Sequence, residues 1–384
     1  MKNIMKKKIV ALGLEPKSGN YGCVALAYSF FGILSNLSES LNLQLSVIAV
    51  CTNYFDKLSI PGLGIEGRRI SFKKPRFVIE FIGLCKNADL IIDFSEGDSF
   101  TDIYGKHRFY TRSLLKEIAI ASRKPFILGP QTVGPFNQKD TAWLASKILK
   151  KAYKVFIRDE ISKNVVRKYG VSTVLVTDIA FVLPYDREIL IKSKDGRELG
   201  INVSGLLYNG GYKKNNDYNL KIDYSKFVAA IITRLQRNYT IHLIAHVFSN
   251  CLVEDDFAVC EKLHNKFPDT ILAPRFESPM QAKSYMSKLD CLIGSRMHAT
   301  IGAFSMGVPI IAVSYSRKFQ GLYSSLGYPY VIDAKKVNEE EGLMQIEQWL
   351  ENYDQMKIDV ERGLKLVDRR TGKFVEEIKQ ILLK

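Results

Sequence analysis

Short runs of β-branched and aliphatic residues recur along this chain, each followed by a polar or glycine-rich turn and then a stretch of helical periodicity. That alternation restricts the fold to parallel sheets covered by helices on both faces. In the first half the strand-like runs are 9–12, 45–50, 90–93, 125–128 and 154–157, and the helical stretches are 24–35, 113–122, 141–151 and 160–169. A polar, charge-rich segment, 184–198, interrupts the pattern and reads as an interdomain linker. A second, smaller series follows, with strands predicted over 199–203, 241–247, 289–293 and 309–313 and helices over 224–236, 254–266 and 297–306. Near the end Phe374, Ile378 and Ile381 fall on one face of an amphipathic helix that must dock on a domain. A chain of 384 residues exceeds one comfortable hydrophobic core. The expected organisation is an α/β domain over 1–190, a second over 191–350 and a helical segment over 351–384.

Composition removes several classes of function. No uninterrupted apolar run approaches the roughly 20 residues that span a bilayer, so a transmembrane protein is not expected. The lysine-rich start leads into an apolar run without a small-residue cleavage site, and reads as a first strand rather than a signal peptide. Six cysteines show no CxxC spacing and mostly sit among apolar neighbours, which fits core residues, a reducing cytoplasm and no structural zinc. Lysine and arginine exceed the acids by 55 to 40, giving +15, a surplus that favours phosphates, nucleic acid or an anionic membrane surface. The lysines are spread along the chain and no nucleic-acid module is recognisable, which argues against nucleic acid.

In open parallel sheets, ligands bind beyond the carboxyl ends of the strands. After the first strand comes GLEPKSGNYGCVA, where Gly19, Asn20 and Gly22 lead into a helix whose first N–H groups suit a phosphate or carboxylate. The same glycines also suit a tight turn that needs positive φ. The segment is neither GxGxxG nor GxxxxGK[ST], so it identifies neither a dinucleotide nor a nucleoside triphosphate. DFSEGDSFTD and LGPQTVGPF follow the third and fourth strands, and Glu96, Asp98 and Gln131 offer polar groups to the same crevice. Arg158 ends a strand and precedes a helix; it reads either as an anion binder or as a partner of Asp159 or Glu160.

The segment 289–313, LDCLIGSRMHATIGAFSMGVPIIAV, reads strand, turn, helix, strand, and puts Arg296 and His298 at a helix start. An arginine fork there, with the positive end of the helix, would hold an anion twice over. A bound dianion would favour the protonated His298, whereas the helix dipole favours the neutral ring; capping or packing is the alternative role. His242 and His246 share one side of a strand, His242 as a structural residue and His246, at the strand's end, as a substrate contact. Residues 209–219, rich in glycine and asparagine, read as a loop that either covers a site or is disordered.

Taken together, GNYG, GPQTVGPF, IRDEIS, DIAF and GSRMHATIGAFSMGVPIIAVSYSRK resemble the polysaccharide pyruvyltransferase family, in order along nearly the whole chain. The resemblance implies an α/β fold of GT-B type, in which two Rossmann-like domains face a cleft, with the C-terminal helix docking across the domains. It implies transfer of the pyruvyl group of phosphoenolpyruvate to two hydroxyls of a sugar as a cyclic ketal, with loss of phosphate and neither a metal nor a cofactor besides the donor. Arg158, Arg296 and Met297 would hold the donor, with the Asn20 and Gly22 turn beside them, and His298 would act as general acid. Glu96, Asp98, Gln131 and His246 remain the candidates for the acceptor. That acceptor is expected to be a sugar on a polyprenyl diphosphate, at the inner face of the cell membrane, for a cytoplasmic protein. This chain carries Cys23 where the family often has an acid. A nucleotide-sugar glycosyltransferase on the same scaffold is the alternative enzyme, and a sugar or phosphate sensor the non-enzymatic one.

Overall fold

The computed structural model describes residues 5–69, 71–72, 74–185 and 197–384. Its contacts divide the chain into two compact units: Met1–Ser18, Leu26–Ile179 and Val367–Lys384 form the first, and Gly19–Ala25 and Ala180–Leu366 the second. The main crossing therefore falls before the boundary expected at 190, and the last helix does not form a segment of its own. Most of the expected linker, residues 186–196, lies outside the described residues.

In the first unit the chain runs β1 (Met5–Leu12), α1 (Tyr21–Leu41), β2 (Leu43–Cys51), β3 (Lys57–Ile60), β4 (Leu63–Arg69), α2 (Pro75–Lys86), β5 (Leu90–Asp93), α3 (Lys106–Ala121), β6 (Phe126–Gln131), α4 (Lys139–Lys151), β7 (Lys154–Ile157), α5 (Glu160–Arg167) and β8 (Val174–Leu175). Among the described residues these strands make one sheet in the order β3-β4-β2-β1-β5-β6-β7-β8, parallel except for the β3–β4 hairpin. The central strands read as unbroken apolar runs because helices cover both faces; Ile9, Val10, Ala11, Leu90, Ile91 and Ile92 are wholly buried. The hairpin and α2 were not expected. The short, mixed-polarity runs of β3 and β4 lie at the sheet edge, where burial no longer imposes a clear period.

The second unit runs β9 (Glu198–Asn202), α6 (Gly205–Tyr208), α7 (Tyr224–Leu235), β10 (Thr240–Ile244), α8 (Asp256–Lys266), β11 (Ile271–Leu272), α9 (Pro279–Met286), β12 (Cys291–Gly294), α10 (Met297–Phe304), β13 (Ile310–Ser314), α11 (Arg317–Ser325), β14 (Val331–Asp333), α12 (Glu339–Glu351) and α13 (Tyr353–Leu383). Its sheet is parallel throughout, in the order β11-β10-β9-β12-β13-β14. Helix starts are fixed by side-chain acceptors: Asp223 caps α7, Ser278 caps α9 ahead of Pro279, and Asn338 with Glu341 forms a capping box on α12.

Helix α13 supplies residues to each unit. Within the second unit Asp359 accepts a hydrogen bond from Tyr330 at 2.9 Å; within the first, Phe374 packs edge-on to Phe156 at 5.0 Å and Glu377 pairs with Lys154. The apolar positions Phe374, Ile378 and Ile381 are buried, as their spacing requires. Helix α1 is long and apolar enough to cross a membrane by length and composition, which the count of uninterrupted apolar runs did not reveal; most of it is buried inside the protein.

Candidate active site

Parallel order brings the ends of β9, β12 and β10 side by side in the second unit, and the site is built there. Arg296 is the residue before α10. Its backbone N–H donates to Asn202 Oδ1 at 2.9 Å, tying the end of β12 to the end of β9. Ser295 is fixed as well: its Oγ accepts from the Tyr224 hydroxyl at 2.7 Å, and that hydroxyl accepts from Ser204 N at 3.1 Å. Met297 and His298 open α10, at the positive end of its dipole.

The Arg296 guanidinium is held by Asp256, the first residue of α8. Nη2 donates to Oδ1 at 2.6 Å, and Nε lies 3.2 and 3.1 Å from the two oxygens. Nη2 also donates to the Glu254 carbonyl at 3.1 Å. Asp256 and the Glu254 carbonyl thus engage the Nε and Nη2 side of the fork. Asp256 is completely buried, and it also accepts from Gly205 N at 2.8 Å and Val247 N at 2.9 Å. Burial pushes its carboxyl up against the opposing Arg296 charge. Burial likewise disfavours the Arg296 cation, but the Asp256 charge outweighs it and the guanidinium is held well above its ordinary range. A buried ion pair of this kind fixes geometry more surely than it adds stability.

Residues 19–25 pack into this unit. Gly19 O accepts from Phe248 N at 2.8 Å, and Tyr21 N donates to His246 O at 3.2 Å, so the turn lies along the segment after β10. The expectation that this turn leaves its N–H groups for an anion is corrected: Gly22 N donates to Asn20 Oδ1 at 3.0 Å, and Cys23 N and Val24 N to Asn20 O. Asn20 caps α1. Gly22 has another purpose, because a Cβ built on it would stand 2.3 Å from His298 Nδ1 and 3.1 Å from Asn20 Oδ1. Only glycine lets the backbone come that close to the imidazole.

His246 lies in the same cluster and is buried. Burial, reinforced by the nearby His298 and Arg296 charges, lowers its pKa to about 3, so its ring stays neutral. His242 is structural, as expected: its ring nitrogens lie 2.6 Å from Tyr285 Oη and 2.6 Å from Glu198 Oε2.

The other expected site residues gather at the strand ends of the first unit, each with a protein partner. Arg158 is buried; its Nη1 pairs with Asp178 of the DIAF segment and its Nε donates to Thr132 Oγ1 at 2.9 Å. Of the two expected partners, Asp159 caps α5 through Ser162 N at 2.7 Å and Glu160 pairs with Lys163. Gln131 is wholly buried and donates to the Asp93 carbonyl at 2.8 Å rather than facing a crevice, because β6 continues to residue 131. Glu96 sits in a left-handed turn at φ 54° and its carboxylate is taken by Arg108 and Arg112. Asp98 accepts from the Tyr104 hydroxyl at 3.0 Å. Gln131, Glu96 and Asp98, expected as acceptor contacts, thus each have a partner within the protein. Of the cysteines, Cys51, Cys85, Cys260 and Cys291 are buried as core residues, Cys251 is exposed and none of the six is in a disulfide.

Sequence reasoning missed Asp256, Asn202, Ser295 and Tyr224. The one local signal was the acidic stretch Glu254, Asp255, Asp256 at a helix start, and it reads equally as capping, which Asp255 performs on Phe257 N at 3.0 Å.

Two α/β units built on mostly parallel sheets define a fold of GT-B type. Solved structures agree on the fold: the putative UDP-N-acetylglucosamine 2-epimerase of Listeria monocytogenes aligns with a TM-score of 0.58 at 10% identity, covering 98% of this chain and 97% of that one. Sucrose-phosphate synthase of Thermosynechococcus elongatus aligns at 0.59 and 10% identity, covering 98% of each. Such low identity shows the fold alone. The chain belongs to the polysaccharide pyruvyl transferase family, which it matches over residues 20–317. It is also 21% identical over 312 residues to the amylovoran biosynthesis protein AmsJ of Erwinia amylovora, covering 76% of this chain and 72% of AmsJ.

Proposed function

We propose that this protein moves the pyruvyl group of phosphoenolpyruvate onto two hydroxyls of one polysaccharide sugar, forming a cyclic ketal and releasing phosphate. The observation that carries the reading is the placement of His298 two residues after an Arg296 whose guanidinium is oriented by buried Asp256 through Nε and Nη2. Arg296 and the positive end of α10 receive the carboxylate or phosphate of the donor. Protonated His298 delivers its proton to the methylene carbon, leaving an oxocarbenium-like centre that a first sugar hydroxyl attacks. The C–O bond to phosphate then breaks and the second hydroxyl closes the ring. Of the two hydroxyl protons, one replaces the proton His298 gave up and the other leaves with phosphate, so the balance closes without a redox partner or a cofactor.

The acceptor we infer is a sugar carried on polyprenyl diphosphate at the cytoplasmic face of the membrane, a reading supported by the +15 charge. The nucleotide-sugar alternative rests on the fold alone. The test is phosphate release from phosphoenolpyruvate with lipid-linked acceptors, read together with a new ketal methyl signal by proton NMR. Phosphate release with no ketal would reduce the activity to hydrolysis. Stabilisation by a nucleotide sugar and not by phosphoenolpyruvate would transfer the assignment to a glycosyltransferase.

A further inference from the structure

The loop after β9 brings aromatic side chains to the strand ends that hold Arg296. β12 lies between β9 and β13, so the residues following these three strands are neighbours: the 209–219 loop, Arg296 and Tyr315. The loop is built rather than slack. Gly211 N donates to Leu206 O at 2.8 Å, Asp217 N to Gly210 O at 3.0 Å and Lys213 N to Asp217 Oδ2 at 2.9 Å. A Cβ on Gly211 would stand 2.5 Å from that of Asp217, so the fold of the loop depends on glycine there.

Three tyrosines result from this placement. The Tyr212 hydroxyl donates to Glu254 Oε1 at 3.1 Å, on the residue whose carbonyl accepts from Arg296, while 61% of Tyr212 remains exposed. Tyr218 meets Tyr315 edge to face, centroids 5.2 Å apart, and Lys318 Nζ lies 5.6 Å from the Tyr315 centroid. Burial raises the Tyr212 and Tyr218 phenols to about 12, and the Arg296 charge acts on both. They are neutral phenols close to the guanidinium. Tyr212 packs little and its hydrogen bond to Glu254 is at the surface, whereas Tyr315 also meets the buried Phe319 edge to face at 5.7 Å.

We propose that Tyr212, Tyr218 and Tyr315 form the subsite for the acceptor sugar. A pyranose has an apolar face of C–H bonds that packs on a phenol ring, and a rim of hydroxyls for which the Glu254 carboxylate, the Lys318 ammonium and the phenols supply partners. Such a platform holds the sugar beside Arg296, within reach of a donor bound there. The proposal rests on the pyruvyl-transfer reading of Arg296 and His298, and its test is chosen to be independent of turnover.

Saturation-transfer NMR is run on the full chain with methyl β-glucoside, methyl β-galactoside and methyl α-mannoside, with uridine as a separate probe, on wild type and on Tyr212→Ala, Tyr218→Leu and Tyr315→Leu. The leucines keep volume while removing the ring, and far-UV circular dichroism confirms the fold. At least one sugar should receive saturation from wild type and bind about three- to tenfold more weakly in each variant, the range expected for losing one aromatic contact. Equal saturation in wild type and all three variants, no sugar saturated by wild type, or saturation of uridine alone each overturns the subsite. A parallel thermal shift with phosphoenolpyruvate separates the two readings. A tyrosine-dependent sugar signal without a donor shift removes the proposed reaction and keeps the subsite, and the reverse pattern removes the subsite alone.

Discussion

Gly22 lies against the His298 imidazole so closely that an added methyl group would stand 2.3 Å from Nδ1 and 2.9 Å from Cγ. The first turn of α1 thus serves as a wall for the ring that we assign as acid. Gly22→Ala must displace either the imidazole or the turn, an overpacking cost of about 1–3 kcal/mol in stability. Because general acid catalysis depends on position, the rate of phosphate release should fall by roughly a hundredfold while phosphoenolpyruvate still raises the melting temperature. Steady-state phosphate assays with melting curves decide it; a rate within twofold of wild type would mean that the ring position is immaterial.

If His298 supplies the proton that makes the methyl group, the hydrogen must come from solvent. In deuterium oxide the ketal methyl should carry one deuterium, seen as a mass increase and a split methyl signal in proton NMR. His298→Gln should lower phosphate release by about 10²- to 10⁴-fold, the usual worth of a positioned general acid, with donor binding kept. Loss of donor binding along with rate would make His298 a ligand for the anion instead.

Asp256 is the third element, since its removal leaves the Arg296 cation without its buried partner. Asp256→Ala should cost about 3–5 kcal/mol, measured by urea unfolding, as for other buried pairs deprived of one member. The fork also loses its orientation, so the KM for phosphoenolpyruvate should rise. The double variant Asp256→Leu with Arg296→Met should regain part of the stability but no donor binding. Recovery of both would remove Arg296 from the site.

The strand ends were legible in the sequence because parallel strands buried on both faces write themselves as short unbroken apolar runs, and 289–313 displays the whole strand, turn, helix, strand unit. Arg296 and His298 were legible for the same reason. What holds them was not. Asp256 sits in an acidic stretch at a helix start, where capping and solvation explain it equally well, and only the parallel order of β10, β9 and β12 brings it to Arg296. The contact of Gly22 with His298 joins positions far apart in the chain and leaves no periodic trace. Arg158 shows the converse: its position after a strand suggested a ligand, but Asp178, which the sequence flagged only as part of a resemblance, takes its guanidinium in the core.

His246 gives the pH dependence. Burial holds its folded pKa at about 3, below the usual 6.5, so between those values the unfolded chain binds a proton that the folded protein does not. Stability from this residue is therefore complete above pH 6.5 and declines as the pH falls toward 3, with a limiting slope of about 1.4 kcal/mol per pH unit. Urea unfolding of wild type and His246→Asn from pH 7.5 to 4 measures it. The variant should show a shallower acid decline across that window even if it is less stable at pH 7.5. Parallel profiles would mean that the His246 ring gains a proton in the folded protein as readily as in the unfolded chain.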